Sequence, residues 1–413
     1  MASQPRKLRR PSPDEPAILH AGRRLFRPIE QQLRALRDAP AHGNRELFYD
    51  HVVVAHLIAF FNSSVESLRR IEDVFESPEV QKRLNLPRVP KSTLSDAQRV
   101  LDPELLRPII EQLKSRVPAT RHDPKLDALV KELIAVDGSL FPVAARVAWA
   151  LYNKPNAADA KPQRGFVRVD FHFNILRGVP EQAVVSDGRL AEQDSLVAHL
   201  KAGKFYVMDR ALQGYQHLAD ILAAGSDFVV RLREGAAVFD IVAERSLTVA
   251  DRCAGLTRDA QITIPSPRGK PLSEQPLRMV EFGYTDRNGE VHAARLLTNR
   301  LDLSAEVVAW VYRYRWQIEL FFRWLKCLVG WKHFFSESQN GVTLQTYVAL
   351  IATLLLAIEV GAQPSVYDYA MMNHVVSGLI PLEDAKPILE RRRRERLRAK
   401  ERAALKRAQK TPV

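Results

Sequence analysis

Cysteine is scarce in this chain, with only Cys253 and Cys327 among 413 residues. Neither belongs to a Cys-x-x-Cys pair or lies near two histidines, which excludes a disulfide framework and a cysteine-rich zinc site. The basic N-terminus also lacks the apolar core of a secretory signal peptide. These absences predict a protein of a reducing compartment, and we expect it in the cytoplasm.

Long apolar runs are scarce too. Segment 342–360 alone resembles a membrane span, but Gln345 and Glu359 bracket a truly apolar run of only about a dozen residues. A helix needs roughly 20 apolar residues to cross a bilayer. The segment therefore predicts a buried core helix, and we expect no membrane contact.

The positive charge is confined to the two ends of the chain. Residues 391–413 hold eleven Lys or Arg against two Glu, a net charge of +9, and residues 1–24 hold six against two acids, a net charge of +4. Because the whole chain carries +13, the remaining residues sum to zero. Such tails could follow a phosphate backbone or could serve solubility.

The N-terminal part has helical periodicity. Residues 1–44 are rich in Pro and Arg and indicate irregular chain, whereas 45–117 shows apolar residues at helical spacing. Within it, KSTLSDAQR at 91–99 predicts a helix that starts at Ser92 or Thr93, after Pro90. That layout also occurs in helix-turn-helix units, and a plain helical bundle is the alternative.

Beyond residue 125 the periodicity becomes that of strands. ELIAVDGSLF predicts a strand that ends at Asp137, GFVRVDFHFNIL alternates cleanly, and KFYVMD ends at Asp209. With QAVVSD and a helix at about 192–202, the pattern indicates a mixed sheet with helices packed on it. Residues 234–300 return to β patterns, with a hairpin turn at Asn288-Gly289, and indicate an all-β insertion.

The stretch YRYRWQIELFFRWLK has polar residues at helical steps. These residues are Tyr312, Arg315, Glu319 and Lys326, with Arg323 beside them. They are separated by three, four and seven positions, which places the four side chains within about 60° of one another on a helix with roughly 100° per residue. Ser304 as N-cap and Gly330 as stop predict one helix over about 304–329. A solvated face with an ordinary Arg–Glu pair is the alternative.

Three carboxylates could build a metal site: Asp137, Asp209 and Glu319. Hard oxygen ligands without a Cys or His cluster suit Mg²⁺ or Mn²⁺. Two such ions would serve an in-line phosphoryl displacement. Each aspartate taken alone is equally explained as a turn residue, and their joint placement favours the metal site.

The sequence resembles the insertion-sequence-four family of bacterial DDE transposases. Tyr312-x2-Arg315-x3-Glu319-x6-Lys326 matches the Tyr-Arg-Glu-Lys motif of that family, and Asp137-Gly138-Ser139 and Asp209-Arg210 fit its two aspartate motifs. The likeness extends from about residue 45 to 360. One departure is that Leu212 follows Ala211 where the family usually has an aromatic residue.

The resemblance implies an α/β fold. It has a ribonuclease H-like catalytic core, a mixed sheet flanked by helices, with a β-rich insertion and an all-helical N-terminal domain. The expected layout is a basic N-terminal arm (1–44), a helical DNA-binding domain (45–122), the first part of the core (123–233), the insertion (234–302), the second part of the core (303–365) and a C-terminal helical segment with a basic tail (366–413).

The resemblance also implies a function, cut-and-paste DNA transposition. Asp137, Asp209 and Glu319 would be catalytic and hold two Mg²⁺ ions, with Mn²⁺ as a substitute. The residues expected to contact DNA are Tyr312, Arg315, Lys326, Arg210 and Arg323. Partners would be the terminal inverted repeats, target DNA and a second copy of the chain at the bacterial nucleoid.

Several alternatives remain open. The chain could be a catalytically silent, transposase-derived DNA-binding protein, or a nuclease without end specificity. Some relatives hold a flipped base with a Trp of the insertion, but residues 211–309 contain none. Phe282 or Tyr284 could take that role or could be insertion core. Asp170 and His172 are expected to be structural rather than metal ligands.

Overall fold

The computed structural model of the chain describes most of its length. The described residues are 23–37, 47–62, 64–84, 88–118, 132–143, 147–152, 164–233, 239–265, 272–285, 290–328, 334–361 and 363–410. The predicted turn at Asn288-Gly289 and the predicted stop at Gly330 lie outside them.

The N-terminal region is helical. Its helices are α1 (Arg23–Phe26), α2 (Glu30–Arg37), α3 (Tyr49–Phe60), α4 (Leu68–Phe75), α5 (Pro78–Leu84), α6 (Lys91–Val100) and α7 (Arg107–Arg116). Helix α2 falls where irregular chain was expected, because Leu33 and Leu36 give it a buried apolar side next to α3. Helix α6 begins directly after Pro90 rather than at Ser92 or Thr93, since the extended backbone of Pro90 already provides the N-cap.

The middle of the chain forms strands and shorter helices. In chain order they are β1 (Leu133–Val143), β2 (Leu151–Tyr152), β3 (Arg164–Asn174), β4 (Val179–Asp187), α8 (Glu192–Ala198), β5 (Phe205–Met208), α9 (Tyr215–Ala223), β6 (Asp227–Arg231), β7 (Asp240–Glu244), α10 (Val249–Cys253), β8 (Leu256–Thr263), β9 (Leu277–Thr285), β10 (Val291–Thr298) and α11 (Ala305–Arg313). The remaining helices are α12 (Trp316–Leu328), α13 (Gln339–Val360), α14 (Val366–Val376) and α15 (Leu382–Lys410).

The strands join in one mixed sheet, as the sequence predicted. Its order in the described chain is β2-β3-β1-β5-β6-β10-β9-β8-β7, and β4 pairs with β3. Strands β1, β5 and β6 are parallel, and the other pairs are antiparallel. The β-rich stretch after residue 234 continues this sheet through the pairing of β10 with β6. It is not all-β, because it includes α10.

Two further predicted boundaries were wrong, and the predicted helix at about 192–202 already ends at Ala198. Strand β1 does not end at Asp137, because its pairing with β3 continues as far as Val143 opposite Gly165. The predicted helix over 304–329 is two helices, α11 and α12. Between them the backbone tightens: the N–H of Arg315 donates to the carbonyl of Tyr312 at 3.0 Å, three residues back rather than four. Ser304 is the N-cap of α11, as predicted.

The chain divides into two compact units. The helical unit comprises Met1–Pro118 with Trp324–Val413, and the sheet unit comprises Ala119–Arg323. Helix α13 is, among the described residues, the one helix long and apolar enough to cross a membrane, and 89% of its apolar window is buried inside the protein. It is therefore the core helix that the sequence predicted, and it packs on α3, α6 and α7.

The sheet has a core on one face that fixes the direction of the strand residues. Val136, Met208 and Val230 belong to a buried cluster with Leu196 of α8 and Ile221 of α9. Because successive strand residues point to opposite faces, the residues next to them point to the other face. Helix α11 packs against β5 and β6.

Candidate active site

Two of the predicted carboxylates lie level with each other on neighbouring parallel strands. Val136 of β1 is the register partner of Met208 of β5, so Asp137 and Asp209 are one step further along each. Neighbouring strands are about 4.8 Å apart. Both aspartates point away from the cluster beneath α8 and α9, toward the face on which α11 packs. The parallel sheet therefore places the two carboxylates side by side.

Helices α11 and α12, with the turn between them, bring Tyr312, Arg315 and Glu319 to the same face. The hydroxyl of Tyr312 donates to Oδ1 of Asp209 at 3.4 Å. Nη2 of Arg315 donates to Oε1 of Glu319 at 2.6 Å. Phe321 of α12 packs edge-on against Phe171, with ring centroids 5.2 Å apart. Phe171 is the register partner of Asp137, so this contact holds α12 on the aspartate side of the sheet.

The guanidinium of Arg315 balances all three carboxylates. It pairs with Glu319 and opposes the rise in the pKa of Asp137. Burial lowers the pKa of Arg315, but the neighbouring carboxylates of Asp209 and Glu319 contribute to a net rise. Burial, followed by the charge of Glu192, still raises the pKa of Asp137 to about 7. The site therefore holds more negative charge than one arginine neutralises.

Glu192, which sequence reasoning missed, lies beside Asp137. Its Oε1 accepts from the N–H of Gly138 at 3.1 Å, and Oδ1 of Asp137 accepts from the same N–H at 2.9 Å. Its Oε2 pairs with Nη2 of Arg168 at 2.8 Å, and Nε of Arg168 donates to Asp170 at 2.8 Å. A signal was available in the sequence, because Glu192 begins the predicted helix at about 192–202 that follows the strand QAVVSD.

This network explains the glycine after Asp137. A Cβ at position 138 would lie 2.1 Å from Oδ1 of Asp170 and 2.8 Å from Nη2 of Arg168. Asp170 is held by the ion pair with Arg168, and His172 is buried with its ring centroid 6.2 Å from that of Tyr206. That both are structural rather than metal ligands stays a prediction.

The remaining predicted DNA contacts are spread over the surface or not described. Arg210 and Arg323 are exposed, and the N–H of Arg210 donates to Oδ1 of Asp209 at 2.7 Å. The side chain of Lys326 lies outside the described residues. Tyr284, suggested as a base-holding residue, accepts from Nη2 of Arg231 at 3.0 Å and stacks on His292 with ring centroids 5.4 Å apart.

The donor set fits a hard divalent cation in its chemistry. Asp137, Asp209 and Glu319 supply only carboxylate oxygens. Burial, and then the charge of Glu192, raises the pKa of Asp137, and a bound cation would favour its charged form. Among the described residues, no three Asp, Glu, His or Cys side chains are already grouped closely enough to hold a metal ion. Arg315 holds the carboxylate of Glu319 instead.

A family model described as the transposase DDE domain matches residues 129–355. This range is more than half of the chain, and it includes Asp137, Asp209 and Glu319. The chain belongs to the transposase DDE domain family. The resemblance drawn from the sequence motifs is thereby confirmed. As a DDE transposase, the protein is an enzyme that cleaves DNA and transfers strands, and domains of this family use divalent metal ions.

Curated relatives agree with this assignment. The chain is 24% identical over 277 residues to "Probable transposase for insertion sequence element IS5377" of Geobacillus stearothermophilus, covering 66% of this chain and 67% of the relative. It is 22% identical over 285 residues to "Putative transposase for insertion sequence element IS4SA" of Synechocystis sp., covering 67% and 74%. It is 32% identical over 161 residues to "Putative transposase y4zB" of Sinorhizobium fredii, covering 38% and 43%.

Proposed function

We propose that this transposase works by cut-and-paste transposition with a ribonuclease H-like core. The strand order β4-β3-β1-β5-β6, with β3 antiparallel to its neighbours and β1, β5 and β6 parallel, supports such a core. The observation that carries the proposal is the level placement of Asp137 and Asp209 on parallel strands, on the side of the sheet where α12 packs with Glu319.

In this proposal Asp137, Asp209 and Glu319 hold two Mg²⁺ ions, for which Mn²⁺ can substitute. Such ions, when bound, activate the attacking oxygen and stabilise the leaving oxygen. Water attacks the phosphorus at the transposon end, the bond from phosphorus to the 3′ oxygen breaks, and a 3′-hydroxyl is freed. That hydroxyl then attacks a phosphorus of target DNA and releases the target's own 3′-hydroxyl.

The arginine and tyrosine of the motif position the DNA. Arg315 is held by Glu319 at 2.6 Å, and Tyr312 by Asp209 at 3.4 Å. We infer that Arg315 and Tyr312 would bind phosphates of the transposon end, while Glu319 and Asp209 would hold the cation. Lys326, Arg210 and Arg323 would add further phosphate contacts. Arginine suits this role because its guanidinium binds phosphate through two parallel hydrogen bonds.

Glu192 is proposed as a positioning residue for Asp137. It shares the N–H of Gly138 with Asp137 and is itself fixed by Arg168. The helical domain at 45–122 would bind the terminal inverted repeats, and two copies of the chain would bring two ends together.

The proposal is tested by Mg²⁺-dependent cleavage of DNA that carries the element's ends. Wild-type protein should cut at the end junction, and Glu319→Gln should bind the same DNA without cutting it. Scrambled ends serve as the DNA control, and Glu244→Gln serves as the protein control, since Glu244 is exposed on β7. Cleavage by Glu319→Gln at the wild-type rate would refute the site. End-specific binding without cleavage by the wild type, with Mn²⁺ also tried, would favour the catalytically silent alternative.

A further inference from the structure

The C-terminal helix α15 has one face anchored to the helical unit. Leu382, Ala385 and Leu389 are buried on that face. Further along the helix, Nη1 of Arg393 donates to the carbonyl of Val360 at 3.2 Å, and Arg396 pairs with the buried Asp368 at 3.1 Å. Two arginines of the basic tail therefore serve the fold.

The opposite face carries a row of arginines, which we call the arginine stripe: Arg391, Arg394, Arg398 and Arg402. All four are exposed. Their steps of three, four and four place them within about 80° of one another, and they extend over about 16 Å at 1.5 Å per residue. Within the part of the chain that the structure describes, no carboxylate pairs with any of the four. Three exposed glutamates, Glu390, Glu395 and Glu401, lie beside the stripe at helical spacing. Of these, Glu395 pairs with Arg392 at 3.0 Å.

The stripe is unfavourable for an isolated helix. Like charges three or four residues apart destabilise a helix by a few tenths of a kcal/mol per pair. The helix nevertheless keeps the four arginines on one face, because its inner face is fixed by burial and by Arg393 and Arg396. A row of positive charge on one helix face is complementary to a polyanion.

We propose that the arginine stripe is a binding surface for duplex DNA of any sequence. Duplex DNA presents one phosphate charge per roughly 1.7 Å of its axis, so a stripe of about 16 Å can engage several phosphates at once. Arginine binds phosphate oxygens in pairs. The proposal concerns binding alone, so it does not depend on the cleavage chemistry or on recognition of the transposon ends.

The test measures how binding depends on salt. Full-length protein is titrated with a labelled duplex of about 30 base pairs of scrambled sequence, in chelator, at salt concentrations from about 50 to 200 mM. Each phosphate contact contributes about −0.9 to the slope of log K against log salt. Replacing all four arginines by glutamine should therefore make the slope shallower by about 3 to 4 and weaken binding more than about tenfold at low salt. Replacing them by lysine keeps the charge and should preserve the slope.

A second variant tests the stripe without removing it. Glu395→Lys adds a positive charge beside Arg391 and Arg394 and should steepen the slope by about 1. An unchanged slope in the folded glutamine variant, or in Glu395→Lys, would overturn the proposal. So would loss of self-association by the glutamine variant with its DNA binding intact, because the stripe would then serve contact between copies of the chain.

Discussion

One cluster of charged side chains in each unit shows a different way of burying charge. In the helical unit, Arg37 pairs with Asp50 at 2.7 Å, and both side chains are almost fully buried, at 2% and 0% exposed. In the sheet unit, Asp137 lies near Glu192 and Glu319 with Arg315 as the shared cation, and its pKa rises to about 7. A buried charge with a full partner supports the fold. Buried carboxylates in excess over their partners indicate a site kept for a ligand.

The largest expected effect is the loss of a matched charge in the helical unit. Arg37→Met leaves Asp50 buried without its cation, which should lower the free energy of unfolding by about 3 to 5 kcal/mol. Arg70→Met is the control, because Arg70 and Asp73 are exposed and 3.9 Å apart, and it should cost less than about 0.5 kcal/mol. Urea unfolding followed by circular dichroism measures both, and equal losses would show that the buried pair does not stabilise the unit.

The second largest effect should come from a steric change in the sheet unit. Gly138→Ala forces a Cβ to within 2.1 Å of Asp170 and separates the ion pairs of Arg168. We expect a loss of about 1 to 3 kcal/mol together with reduced cleavage. Gly283→Ala, in strand β9, has nothing within 4 Å of the new Cβ and serves as the control. If Gly138→Ala left both stability and cleavage unchanged, the ion pairs of Arg168 would not be rigidly held.

Removing the charge of Asp137 should stabilise the folded protein, whereas the two changes above destabilise it. The folded pKa of Asp137, about 7, lies above its ordinary value of 3.8, so the folded state binds more protons and stability falls as pH rises from about 4 to 7. In chelator at pH 8, Asp137→Asn should therefore be more stable than wild type, by about 1 to 2 kcal/mol, and the two should converge near pH 4.

The measurement is the melting temperature of both proteins across that pH range. A variant that is less stable than wild type at pH 8 would remove the contrast between the two units.

The smallest expected effect concerns the shared cation. Arg315→Gln removes the positive charge that balances Asp137, Asp209 and Glu319, so Mn²⁺ should bind about three to ten times more tightly in the absence of DNA. Arg315→Lys keeps the charge and should bind as wild type does. Calorimetric titration measures the affinities, and weaker binding by Arg315→Gln would show that Arg315 supports the cation site instead of competing with it.

The sequence predicted those features that depend on local periodicity. The alternation of apolar and polar residues predicted β3, and apolar runs predicted β5 and α13. The helical spacing of polar residues in the aromatic stretch predicted that Tyr312 would lie on the side of the helix that meets Asp209. The mixed sheet followed from the succession of strands and helices. Each of these depends on residues close together in the chain.

The features that were missed depend on contacts between distant segments. Strand β1 continues past Asp137 because β3 pairs with it there, and the polar residues of β1 give no local sign of this. The helix is interrupted at Tyr314 and Arg315, where the sequence has neither proline nor glycine and so gives no local signal of the break. Glu192 reaches Asp137 only through the N–H of Gly138, 54 residues away in the chain.

The carboxylate site is tested most simply by Mn²⁺ binding to the DNA-free protein, measured by calorimetry for wild type and for Asp137→Asn, Asp209→Asn and Glu319→Gln. Each of the three variants should bind about tenfold more weakly or worse, since each lacks a carboxylate ligand, while Glu244→Gln should bind as wild type does. Wild-type affinity in any of the three would contradict the assignment of that carboxylate to the cation site.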